Sequence, residues 1–129
     1  MYTGNTRYGV QSLDYDPSME RWFLAVYPGR KPRFPNYSLF AVDATSTPHT
    51  RTLRGLSGEK GRLLPLADDG LRDVRTGIRG WRRDVPYGLE ALGDGMYYLV
   101  TSESSNGRSS AALTLEMWTG DPERPFAPT

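Results

Sequence analysis

The sequence predicts an all-β protein made of antiparallel meanders. Three observations lead there. Fourteen Gly and ten Pro punctuate a chain of 129 residues, of which 12% are aromatic, a mix that suits short strands and tight turns. Apolar runs rich in aromatic and β-branched residues are bounded by Asp, Gly, Pro and Ser. No stretch sustains the apolar spacing of a helix. The length asks for a single domain.

The first strand is expected around Gly9 to Asp16, with Val10, Leu13 and Tyr15 apolar and Asp16-Pro17-Ser18 as a turn. Arg21 to Tyr27 follows, ended by Pro28-Gly29, so the spacing reads as a β-hairpin. Arg30 to Asn36 carries two prolines and is a basic loop, not an inner strand. Tyr37 to Asp43 is the third strand, and the polar alternation of Thr50 to Leu56 fits a solvated edge strand. Between Ser57 and Pro86 the pattern is irregular: Arg62 to Leu66 reads as a short strand or a buried loop, and Asp68-Asp69-Gly70 and Thr76-Gly77 as turns.

After Pro86 the opening pattern returns. Tyr87-Gly88-Leu89-Glu90-Ala91-Leu92 answers Tyr8-Gly9-Val10-Gln11-Ser12-Leu13, about 79 residues on. Asp94-Gly95 supplies a hairpin turn, Met96 to Thr101 answers Trp22 to Val26, and Ala112 to Trp118 answers Ser38 to Asp43. Ser102 to Ser110 reads as a polar hairpin loop, and Asp121 to Pro128 as a proline-rich tail, extended or frayed.

This twice-used order of Tyr-Gly strand, turn, aromatic strand, loop and strand resembles blades of a β-propeller. Asn36 to Asp43, an aromatic strand ending in Asp, is similar to strands of such blades. The likeness extends to propeller domains of bacterial cell-surface proteins and of sugar-lactone or esterase-like hydrolases. It implies blade-like repeats at 8–56 and 87–120, an irregular connection at 57–86 and an extended tail at 121–129. A closed propeller needs four to eight blades, so the expectation is an incomplete β-propeller or propeller fragment. Two other arrangements stay open: assembly as an oligomer, or two meanders facing each other like a sandwich. Uncovered blades would leave apolar faces exposed and prone to association.

Composition bounds function by subtraction. With no Cys, thiolate metal sites, disulfides and cysteine nucleophiles are excluded; with His49 as the one histidine, so are multi-histidine metal sites. Sixteen basic against fifteen acidic residues make a nucleic-acid partner an unlikely expectation. All but Lys31 and Lys60 of the basic residues are Arg, scattered along the chain, which fits coding bias better than an anion-binding surface. No apolar run is long enough for a membrane span and no signal-peptide core opens the chain, so a cytoplasmic location is the default expectation.

Gln11 and Glu90 hold equivalent places in the repeat as polar residues of inner strands. In hydrolytic propellers inner strands line the axial pocket, so the resemblance makes Glu90 the candidate acid or metal ligand, against a plain channel-lining residue. Asp14 and Asp16, with Asp43 or Asp94, are candidate oxygen ligands for Ca²⁺; the alternative is turn capping. Tyr27, Arg30, Lys31, Arg33, Phe34 and Tyr37 form a basic loop flanked by aromatics. Such a loop suits sugar acids, phosphates or single-stranded nucleic acid, or simply covers a sheet edge. Trp81 and Arg82 offer a platform for a sugar face, or an anchor for a long loop. No nucleophile elbow accompanies His49, and the Gly55 to Gly61 run lacks phosphate-loop spacing.

The function expected is a non-catalytic binding or assembly module with a carbohydrate or protein ligand, completed by further blades of the same or another chain. The alternative is a fragment of a propeller-type hydrolase with a divalent metal on the axis.

Overall fold

The computed structural model describes residues 1–53 and 56–129. Arg54 and Gly55, which the sequence assigns to the end of the edge strand and the start of the Gly-rich turn, lie outside the described residues. Among the described residues all regular structure is strand, and every pairing is antiparallel. Among the described residues no helix is long and apolar enough to cross a membrane.

The first sheet has the order β1 (Thr6–Asp16), β2 (Arg21–Pro28), β3 (Leu39–Asp43). Asp16 closes the β1–β2 hairpin: its Oδ1 accepts from the Ser18 amide at 2.8 Å, the Ser18 hydroxyl at 2.6 Å and the Met19 amide at 3.3 Å. Tyr8 and Gly9 adopt left-handed φ values of 61° and 75°, and the ladder slips between Arg7 and Val10. This is a bulge that Gly9 accommodates without strain. β3 begins two residues later than the sequence implies. The amides of Ser38 and Leu39 both donate to the Trp81 carbonyl, at 3.0 and 3.1 Å, while the Ser38 carbonyl still accepts from the Val26 amide of β2 at 3.0 Å.

β2 is an almost unbroken apolar run because both its faces are covered. Phe23 and Ala25 point to one side with Leu39 and Ala41 of β3, while Leu24 and Val26 point to the other with Phe40 and Val42. The second side is closed by the first residues of the chain, the 29–38 loop and the middle segment: Phe34, Tyr37 and Ile78 are buried there, and Met1, Tyr2, Leu64 and Leu66 pack against them.

The middle segment holds two small hairpins before the second sheet begins. β4 (His49–Thr52) pairs with β5 (Lys60–Leu63), and β6 (Leu71–Arg72) pairs with β7 (Arg79–Gly80). Of the predicted edge strand at Thr50 to Leu56, Thr50 to Thr52 belong to β4 and pair with β5, not with the first meander. Trp81 and Leu66 instead bridge the outer edge of β3, at Leu39 and Val42. Gly80 allows this approach, because a Cβ there would sit 2.7 Å from the Leu39 carbonyl oxygen and 2.9 Å from the Phe40 ring.

The second sheet has the order β11-β10-β9-β8, from β8 (Leu89–Gly93), β9 (Met96–Ser105), β10 (Arg108–Asp121) and β11 (Arg124–Pro128). Two expectations change here. Ser102 to Ser110 is not a loop: β9 and β10 stay paired out to Ser105 and Arg108, and Asn106-Gly107 turns the chain with φ of 51° and 74°. The tail is a paired strand, because Trp118 lies opposite Phe126 and Phe126 is buried in the core.

The two sheets share an interior. Phe23 meets the rings of Tyr97, Trp81 and Trp118 at 5.7, 6.3 and 5.4 Å between centroids, and Phe126 closes on Tyr97 and Trp118 at 5.1 and 5.2 Å. Edge-to-face and tilted ring pairs of this kind stabilise beyond their buried area. β1 lies against β8. The Ala91 amide of β8 donates to Asp14 Oδ2 of β1 at 2.7 Å, and Tyr8 and Tyr87, near the starts of these strands, both stand edge-on to Tyr27.

Candidate functional site

The predicted residues divide into four places. Asp14, Asp16 and Glu90 lie where β1 meets β8, with Gln11 further back along β1. Asp16 is buried, and both its oxygens are used: Ser18 and Met19 hold Oδ1, and the Tyr97 hydroxyl donates to Oδ2. Burial works against its charge, yet the hydrogen bonds from Ser18, Tyr97 and Met19 outweigh it and hold the carboxyl below the ordinary 3.8. For Asp14, burial pushes the carboxyl up; the Ala91 amide opposes this, and the charges of Glu90 and Asp16 add to it. Glu90 is exposed opposite Tyr98, on the outer face of the second sheet. Gln11 is exposed and donates to the Tyr8 carbonyl at 2.9 Å. Among the described residues no three His, Asp or Glu side chains gather as a cation would require. Asp43 caps its own turn, accepting from the Thr45 amide at 2.8 Å and hydroxyl at 2.7 Å.

The basic loop is pinned from several sides. Asn5 Oδ1 accepts from the amides of Arg30 and Lys31 at 3.1 and 3.3 Å, and Asn36 donates to the carbonyls of Lys31 and Phe34 at 3.0 Å each. Phe34 and Tyr37 are buried, while Arg30, Lys31 and Arg33 are exposed. Arg82 lies 4.9 Å from the Tyr37 ring centre and donates to the Pro35 carbonyl at 3.3 Å. Tyr27 stands apart from this loop, between Tyr8 and Tyr87. Beside it a hollow of about 380 Å³ is lined by Asp84, Tyr87, Thr101 and Ser102. The hydrogen bond with Tyr87, aided by burial, raises the Tyr27 phenol above its ordinary range.

Trp81 is not a surface platform. It is fully buried between Phe23 and Trp118 and presents no face to solvent.

A further cavity lies where the sequence pointed to no site. A cleft of about 670 Å³ opens between the β4–β5 and β6–β7 hairpins. His49 and Arg51, two apart on β4, both line it, as do Arg72 and Arg79, which are direct partners across the β6–β7 ladder. The turn joining β6 and β7 is fixed by Asp73, whose Oδ2 accepts from the Thr76 amide at 3.1 Å and whose carbonyl accepts from the Gly77 amide at 2.7 Å. Leu63, Leu64, Leu66 and Ile78 contribute an apolar wall, and the hydroxyls of Tyr2, Thr52 and Thr76 lie among them. Burial pushes the Tyr2 phenol up, against the charge of Arg33. Among the described residues no carboxylate lines this cleft. The signal in the sequence was the spacing of His49 and Arg51 and of Arg72 and Arg79. It was invisible as a site until the two successive hairpins folded beside each other.

No family model, curated protein or solved structure matches the chain.

Proposed function

We propose that this chain is a non-catalytic binding and assembly module: two successive blades of a larger β-propeller, completed by further blades of the same or another chain and presenting its loops to a carbohydrate or protein ligand. One observation carries the reading. β10 turns three large apolar side chains to the outside of the second sheet, although Trp118 of the same strand enters the core. Leu113, Leu115 and Met117 face solvent, Leu113 with 64% of its surface exposed, whereas Thr114 and the buried Glu116 face the interior. Tyr98 of β9 lies directly opposite Leu115 and extends the same apolar face. A contiguous apolar sheet face of this kind marks a contact surface. Burying Glu116 requires a partner, and Arg83 supplies it at 2.7 Å.

The contact between the sheets also supports the blade reading. β1 lies against β8, tied by the bond from the Ala91 amide to Asp14, as inner strands about one axis would be. The outer face of the second sheet, where Leu113, Leu115 and Met117 are exposed, is where a following sheet would lie.

Sedimentation velocity tests this. The chain should self-associate with rising concentration, and the double variant Leu113→Lys, Leu115→Lys should stay monomeric with an unchanged circular-dichroism spectrum. A wild-type chain that remains monomeric at all concentrations and binds no more anilinonaphthalene sulfonate than the double variant would refute the reading.

A further inference from the structure

We infer that the cleft between the β4–β5 and β6–β7 hairpins is a binding site for a small organic oxyanion, a carboxylate, phosphate or sulfate carried on a body the size of a sugar. This names a ligand class for the binding half of the function proposed above and rests on that reading. Arg72 and Arg79 are direct partners in a ladder only two residues long, and like charges placed opposite each other destabilise a β pair. Arg79 donates to the Asp68 carbonyl at 3.1 Å, which orients its guanidinium but leaves its charge uncompensated. The side chains of Arg72 and Arg51 make no hydrogen bond or ion pair among the described residues. Two part-buried arginines elsewhere do have carboxylate partners: Arg21 pairs with Asp69 at 3.0 Å and Arg83 with Glu116 at 2.7 Å. The cleft therefore holds three guanidinium groups without a carboxylate.

Planar guanidinium forks match the geometry of carboxylate and phosphate oxygens and bind them bidentately. An anion between the two hairpins would relieve the Arg72–Arg79 repulsion as it binds. The size and lining set the rest of the ligand. About 670 Å³ falls within the range of small-molecule sites, roughly 300–1,000 Å³. That is far more than an inorganic ion fills, and the leucine wall and hydroxyls suit a body with both apolar and hydroxylated faces.

The test is a titration of the ¹⁵N-labelled chain with glucuronate, glucose 6-phosphate, inorganic phosphate and glucose, followed by amide shifts. Glucuronate or glucose 6-phosphate should shift amides of residues 49–52 and 71–80 and bind at least tenfold more tightly than glucose; which of the two binds separates a carboxylate from a phosphate ligand. Arg72→Gln and Arg51→Gln should each weaken that binding by about tenfold, and Arg7→Gln, outside the cleft, should not. Arg72→Gln should also raise the melting temperature of the free chain by on the order of 1–3 °C, because it removes the opposed charge. Charged and neutral sugars binding alike would overturn the inference, as would inorganic phosphate binding as tightly as the sugar acids, or Arg72→Gln binding like the parent with an unchanged spectrum. The stacking test reads the second sheet by sedimentation and this one reads the cleft by titration, so either can fail without the other.

Discussion

Tyr97→Phe removes one oxygen atom from the interior and should cost more than its size suggests. The Tyr97 hydroxyl donates to Asp16 Oδ2, and both side chains are buried. The bond ties the β1–β2 turn of the first sheet to β9 of the second. Without it the carboxylate keeps its partners at Oδ1 but loses the one at Oδ2. An unsatisfied buried acceptor costs about 1–3 kcal/mol, with charged groups at the upper end. At roughly 4 °C per kcal/mol for a domain of this size, the melting temperature should fall by about 8–12 °C.

The pH dependence gives the sharper check. Asp16 has a folded value below 3.8, so its contribution to stability is fully present above that pH and is lost as pH falls through the lowered folded value. The deficit of Tyr97→Phe should therefore be largest near neutrality and shrink in acid. Tyr97 itself is raised above 10 by burial, then by its hydrogen bond to Asp16 and the Asp16 charge. Its share is in place below pH 10 and is lost only as pH rises through the folded value, so the acid limb reports Asp16. Urea unfolding of both proteins between about pH 7 and pH 3 measures this. A deficit under about 0.5 kcal/mol at neutral pH, or one that stays constant into acid, would refute the reasoning.

Two other substitutions probe the joints of the fold. Gly80→Ala drives a methyl group against the Leu39 carbonyl and the Phe40 ring, and differential scanning fluorimetry should show a loss of about 1–3 kcal/mol. Arg83→Met leaves the Glu116 carboxylate without its cation; because Arg83 is partly solvated, the expected loss in urea unfolding is about 2–3 kcal/mol, below that of a fully buried pair. Adding Glu116→Gln to it should restore part of that stability.

Much of the fold was legible in the residues. The run from Trp22 to Tyr27 and the pairs Pro28-Gly29 and Asp94-Gly95 fix strands and turns through purely local chemistry. Other signals were present but outweighed. Asn106-Gly107 carries a strong two-residue hairpin signal, but its flanks are serine and glutamate, so apolar patterning could not show that the strands continue around it. Pro125 and Pro128 suggested a frayed tail, yet at a sheet edge proline is tolerated, and Phe126 had a core to enter. Trp81 looked like a platform because its neighbours are charged; its burial depends on β3, forty residues earlier, which no local pattern reveals. The cleft was illegible for the same reason, since its charges converge only in the tertiary structure.

The central physical claim is that the two meanders are packed face to face through one aromatic interior. A nuclear Overhauser spectrum of the aromatic protons tests it most directly. Cross-peaks from the Phe23 ring to both Tyr97 and Trp118, whose centroids lie 5.7 and 5.4 Å away, are the expected result. A folded chain showing strong contacts within each meander and none from Phe23 to either ring would contradict it.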